Sequence, residues 1–116
     1  HPATPFVAGF VGTSNLLAGA AAEAVLGKSG TWSVRPEKIR VIGVDEHVGD
    51  GQHAVRGTVR EVVYLGMSTR YVVDLEVGGT LMAVRQNSEQ LTDTSGMRGA
   101  PVLLTWDTSH EYRVAD

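Results

Sequence analysis

The chain has 116 residues, no cysteine and a formal net charge of −3, with 42% apolar and 20% charged residues. That length holds one domain with a modest core, and the lack of thiols excludes disulfides and thiolate metal sites. The ten Lys and Arg side chains are scattered rather than set in a counterion-displacing stripe, which disfavours nucleic acid and anionic membrane surfaces as partners.

No apolar run approaches the length of a membrane span and no signal peptide precedes Pro2, so a soluble chain is expected. Fourteen glycines between β-branched runs favour short strands and tight turns over a helical bundle.

The first segment, Pro2 to Gly12, reads differently from the rest. Thr4 can cap and Pro5 can take a first helical position. Phe6, Val7, Phe10 and Val11 then share one face at helical spacing before Gly12. The spacing predicts a short helical arm over Phe6–Val11, too short to hold itself in water. Its apolar face needs a surface, either this chain's own body or one outside it.

From Leu16 the period changes to two. Leu16 to Leu26 is small and apolar and reads as a strand interrupted at Gly19. Thr31–Val34 and Ile39–Val44 flank Arg35-Pro36-Glu37, where the proline removes a ladder donor and forces a bend or an edge. Asp45 to His53 is a polar loop. Val55–Leu65 reads as a strand whose parity breaks at Glu61, which predicts a bulge. After a turn at Gly66-Met67-Ser68, Tyr71, Val73, Leu75 and Val77 alternate against Arg70, Asp74 and Glu76. Gly78-Gly79 is a two-residue hairpin signal returning through Thr80–Gln86. A polar loop follows over Asn87–Gly99, then strands at Pro101–Trp106 and Glu111–Val114. Seven or so short strands with turns every eight to twelve residues predict a closed or nearly closed antiparallel barrel, which would remove the sheet edges. A sandwich satisfies the same pattern.

Three constellations invite a chemical reading. Ala22-Glu23-Ala24-Val25-Leu26-Gly27-Lys28-Ser29 departs from the phosphate-binding P-loop pattern only at its first position. A P-loop must open a helix, whereas Gly30, Thr31, Trp32, Val34 and Pro36 follow here, so Gly27–Gly30 is better read as a hairpin turn. His47, Asp50 and His53, with Asp45 and Glu46, could ligate a divalent ion. Gly43, Gly49 and Gly51 leave that loop without rigid ligand geometry, and a solvated loop is favoured. His110 lies near Asp107, but Asp-Thr-Ser-His reads more simply as a turn. Tyr64, Tyr71, Trp32 and Trp106 could stack bases, yet without a basic groove they read as core and rim. No catalytic constellation is expected, and no cofactor or metal.

Several stretches, in order, resemble one family. They are Phe6-Val7-Ala8-Gly9-Phe10-Val11-Gly12 with Ser14-Asn15-Leu16-Leu17, and Val34-Arg35-Pro36-Glu37-Lys38-Ile39. Gly57-Thr58-Val59, Val62-Val63-Tyr64-Leu65-Gly66, Thr69-Arg70-Tyr71, Gln86-Asn87 and Val102-Leu103-Leu104-Thr105-Trp106 follow. The set resembles the transport-associated oligonucleotide-binding-fold (TOBE) domain at the C-terminus of ABC-importer ATPase subunits, most of all the spermidine/putrescine branch. The resemblance implies an all-β, OB-like antiparallel barrel over residues 14–116, after a helical arm (residues 1–13) that ends a preceding ATPase domain. It also implies an accessory and regulatory role without catalysis. The expected partners are the parent's own ATPase domain, a second copy in a homodimer and membrane-spanning importer subunits. The expected location is cytoplasmic, against the inner face of the cell membrane.

Arg35, Glu37, Tyr64 and Arg70, with Phe6 and Phe10 of the arm, are the candidate subunit or regulatory contacts. The alternatives are a stand-alone small-ligand or oxyanion-binding barrel and an oligonucleotide-binding barrel.

Overall fold

A computed structural model describes residues 6–11, 14–86 and 97–115. Nine strands form two antiparallel sheets among these residues. In chain order they are β1 (Phe6–Val11), β2 (Ser14–Gly19), β3 (Thr31–Val34), β4 (Arg40–Ile42), β5 (Gln52–Tyr64), β6 (Ser68–Leu75), β7 (Thr80–Gln86), β8 (Pro101–Asp107) and β9 (Glu111–Ala115). One sheet has the order β1-β2-β3-β9 and the other β4-β8-β5-β6-β7. The expectation of a mostly β body holds. Most of the loop expected over Asn87–Gly99 lies outside the described residues, as do Thr4, Pro5 and Gly12.

The helix is not where the spacing placed it. Phe6–Val11 is a strand laddered to β2, with Phe6 opposite Gly19 and Val11 opposite Ser14. A six-residue apolar segment fits either period, and pairing with β2 engages the inner row of its backbone groups, where one isolated helical turn could not hold itself. The sole α-helix among the described residues, α1 (Ala20–Leu26), occupies the second half of the segment expected to be strand. Three successive alanines are the strongest helix formers available. Ala21, Ala22 and Leu26 are buried, and the helix lies on β1 and β2. Gly27 ends it in the left-handed conformation (φ 68°), its amide on the Glu23 carbonyl at 3.1 Å while Lys28 N reaches Ala22 O at 3.4 Å.

The β5–β6–β7 meander matches the alternation closely. The register of β5 on β6 shifts between Val59 and Glu61, so the parity break is a bulge at Arg60. The β6–β7 connection is longer than expected. Glu76–Gly79 forms a four-residue loop, closed by Leu75 N on Gly79 O at 2.9 Å, and Val77 is exposed in it. Trp106, Tyr71, Leu17, Leu81, Leu104, Val34, Val59 and Val73 fill a single core shared by both sheets.

Two contacts hold the sheets together near β7. Asn15 is fully buried; its Nδ2 donates to Met82 O at 2.7 Å and its Oδ1 accepts from Met82 N at 2.8 Å. That reciprocal amide pair satisfies every polar atom involved, which the interior requires. Beside it β1 passes over Gly79 so closely that an added Cβ would sit 2.4 Å from Ala8 O.

Candidate functional site

Pro36 does more than end a strand. Residues Pro36–Lys38 form a 3-10 turn between β3 and β4, with Lys38 N on Arg35 O at 3.0 Å and Ile39 N on Pro36 O at 3.2 Å. Pro36 itself is buried, and the turn packs against β7. This sets Glu37 between two adjoining cavities. One, of about 340 Å³, is walled by Phe10, Pro36, Arg70, Met82, Val84 and Gln86, with Glu37. The other, of about 400 Å³, shares Glu37, Val84 and Gln86 and is further bounded by Ile39, Arg40, Tyr71 and Arg85.

The structure thus brings together three of the six candidate contact residues, Phe10, Glu37 and Arg70, from β1, the turn and β6. Arg70 is the unusual one. Its side chain is half-buried, and its Nε is buried with no hydrogen-bond partner among the described residues. Phe10 is 44% exposed at the cavity mouth. Arg35 lines neither of these cavities but a more open cleft, with Ser33, Glu37, Lys38 and Tyr112. Its nearest approach to Glu37 is 4.0 Å with both side chains largely exposed, a contact of little energetic weight. Tyr64 stands exposed at the end of β5 opposite Thr69, one ladder step from the Val63–Arg70 pair, and lines neither cavity. Phe6 is placed by its backbone at the far end of β1, opposite Gly19.

The P-loop-like stretch has a definite structural role. Ahead of Gly27 lies a helix rather than the expected strand, so Gly27-Lys28-Ser29 sits at a helix C-terminus. Carbonyl oxygens converge there, a polarity opposite to the amide cradle that holds phosphate. The Lys28 ammonium is engaged elsewhere: Nζ lies 2.7 Å from Glu111 Oε1 and 4.2 Å from the centre of the Trp32 ring.

Glu111 anchors the second polar cluster, which the sequence reading missed. Its carboxylate is fully buried and accepts from Lys28 Nζ and, at 2.8 Å, from Trp106 Nε1, while His53 Nδ1 closes on Oε2. Burial pushes this carboxyl up, but the bonds from Lys28, His53 and Trp106 together outweigh it and hold it below its ordinary value. His53 lies in β5 rather than in the expected loop and is committed to Glu111. Glu46 in turn accepts from Gly43 N at 2.5 Å. No three His, Asp or Glu side chains among the described residues converge in a way that could hold a metal.

Asp107 caps a 3-10 turn over Thr108–His110, accepting from Ser109 N at 3.1 Å, and that backbone bond holds its carboxyl low. On the outer face the Arg60 guanidinium grips Asp74 through Nε–Oδ2 at 2.9 Å and Nη2–Oδ1 at 2.5 Å, which lowers the Asp74 carboxyl. No helix among the described residues is long and apolar enough to cross a membrane.

Comparison with known proteins agrees with these motifs. Residues 32–112 match the model of the TOBE domain. The chain is 39% identical to the spermidine/putrescine import ATP-binding protein PotA of Acidothermus cellulolyticus, over 97% of this chain and 35% of that protein. It is 38% identical to PotA of Thermobifida fusca, over 96% of this chain and 34% of that one. An uncharacterized ABC transporter ATP-binding protein of Escherichia coli, YdcT, is 38% identical over 91% of this chain and 30% of its own length. The chain thus spans about a third of the length of these relatives. Among solved structures, the cytoplasmic molybdate-binding protein ModG superposes with a TM-score of 0.63 over 97% of this chain and 92% of that one, at 11% identity. That likeness concerns the fold alone. By the matched model and by the order of its motifs, this chain belongs to the TOBE-domain family.

Proposed function

We propose that the chain is the accessory TOBE domain of an ABC-importer ATP-binding subunit of the polyamine type. In this reading it holds two subunits together and passes regulatory contacts between them, and its own residues catalyse nothing. The observation that carries the reading is identity near 38% over more than nine-tenths of the chain to two spermidine/putrescine import ATP-binding proteins. The remaining two thirds of such a subunit would supply the ATPase, and through it the link to membrane-spanning importer subunits on the cytoplasmic side. A barrel-like pair that tethers two ATPase domains keeps their effective concentration high when they separate.

The contact face would lie around the Pro36 turn and the β5–β6 hairpin, with Arg35, Glu37, Phe10, Tyr64 and Arg70 on or beside it. Phe10 and Tyr64 are exposed apolar or aromatic side chains of the kind that anchor interfaces. Phe6–Val11 now serves as an edge strand of the same body, so arm exchange is not part of the proposal.

Two measurements test this. Calorimetric titration with Mg-ATP should give no binding, and Lys28→Ala should leave that unchanged; micromolar affinity would contradict it. Sedimentation should show a dimer that Phe10→Ser and Tyr64→Ser weaken, and a monomer at high concentration would defeat the pairing.

A further inference from the structure

We propose that the cavity between the Pro36 turn and β6–β7 binds a small organic carboxylate, with the Arg70 guanidinium as its anchor. Arg70 Nε is buried with no acceptor among the described residues. A guanidinium N–H left without a partner away from water is unfavourable, and so it is rare unless a ligand or solvent completes it. The nitrogen is closed to solvent in this conformation, so an incoming acceptor reaches it only as a neighbouring side chain moves aside. Met82 and Gln86 in the wall have the rotatable bonds to yield.

A carboxylate suits the fork of Nε–H and Nη–H, which it accepts with two oxygens at once. The rest of the wall selects an organic body over a bare inorganic oxyanion. Phe10, Pro36, Met82 and Val84 are apolar, and the two adjoining cavities, at about 340 and 400 Å³, fall in the range of small-molecule sites.

The charge balance is consistent. Arg40 and Arg85 border the second cavity, and Glu37 is the sole acidic side chain among the described residues lining either. Glu37 is half exposed and has Arg35 near it, so solvent screens its repulsion. The inference stands on the cavity and does not require the dimer. If the contact face proposed above is right, occupancy would also bear on pairing, because Phe10 and Glu37 belong to both.

Benzoate is the probe, with benzamide as its neutral isostere and sulfate as the inorganic anion. Amide chemical shifts of the 116-residue chain should move with benzoate at Glu37, Arg70, Val84 and Gln86, saturating in the millimolar range, and its thermal midpoint should rise. Benzamide and sulfate should do neither. Arg70→Met should weaken benzoate at least about tenfold. It should also leave the ligand-free midpoint unchanged or higher, because Nε has no partner among the described residues to lose. Val84→Phe, which fills the slot shared by both cavities, should abolish binding while the chain stays folded; it decides the matter if Arg70→Met fails to fold. Shifts scattered over the surface, equal response to sulfate or benzamide, or full affinity in a folded Arg70→Met or Val84→Phe variant would overturn the assignment. So would a large fall in the ligand-free midpoint of Arg70→Met with no benzoate effect on the parent chain, which would make Arg70 structural.

Discussion

Replacing Glu111 by alanine should be among the most damaging polar substitutions in the chain. Its carboxylate is wholly buried and is the common acceptor for groups from the end of α1, the start of β5 and the end of β8. Without it, Trp106 Nε1 keeps no acceptor in an indole that is 1% exposed, at about 1–3 kcal/mol. The Lys28 and His53 side chains, 36% and 27% exposed, regain water, so each adds only roughly 0.5–1 kcal/mol. The sum, about 3 kcal/mol, sits at the low end of what removing one partner from a buried ion pair costs. Urea unfolding followed by tryptophan fluorescence should show it as a midpoint about 2 M lower, for a slope near ~1.5 kcal/mol/M.

Glu111→Gln keeps an oxygen for Trp106 and should lose about half as much. The difference between parent and Gln variant should also depend on pH. The folded carboxyl titrates below its ordinary 4.5, so its stabilisation is complete above that value. It is lost as the pH falls through the lower, folded value. A Glu111→Ala chain within about 1 kcal/mol of the parent, or a parent–Gln gap that widens on acidification, would refute the reasoning.

Asn15→Ala should cost about 2–4 kcal/mol, because it strands both backbone groups of buried Met82; hydrogen exchange at Met82 should accelerate with it. Gly79→Ala should cost roughly 1–3 kcal/mol by forcing β1 away from β7, and Ala8 and Leu17 resonances should shift more than those of β8. Asp74→Asn should lower the thermal midpoint only slightly, and the difference should shrink in high salt, since the Arg60–Asp74 pair lies on the surface.

Elements built from local alternation could be read directly from the residues. Tyr71–Leu75, the Arg60 bulge and the strands of β8 and β9 follow from period two and from a break in it. The misreadings share a cause. Phe6–Val11 fits helix and strand alike over six residues, and the ladder to β2 that decides it is a tertiary fact. In Ala20–Leu26 the helix signal was present, an alanine run closed by Gly27, but low polarity made it resemble a buried strand. At the site, Glu37 and Phe10 were legible as motif residues, yet their meeting with Arg70 depends on how the Pro36 turn packs on β7. Glu111 gave no local sign because Lys28 and His53 lie 83 and 58 positions away.

As proposed, this chain is the accessory domain of a polyamine-type import ATPase subunit. The direct measurement is ATP-dependent spermidine uptake by the importer containing Thermobifida fusca PotA, with the segment matched here exchanged for this chain. Uptake should be near that of the unmodified importer, and far above that of a subunit lacking the segment. A chimera that assembles but transports no better than the truncated subunit would contradict it.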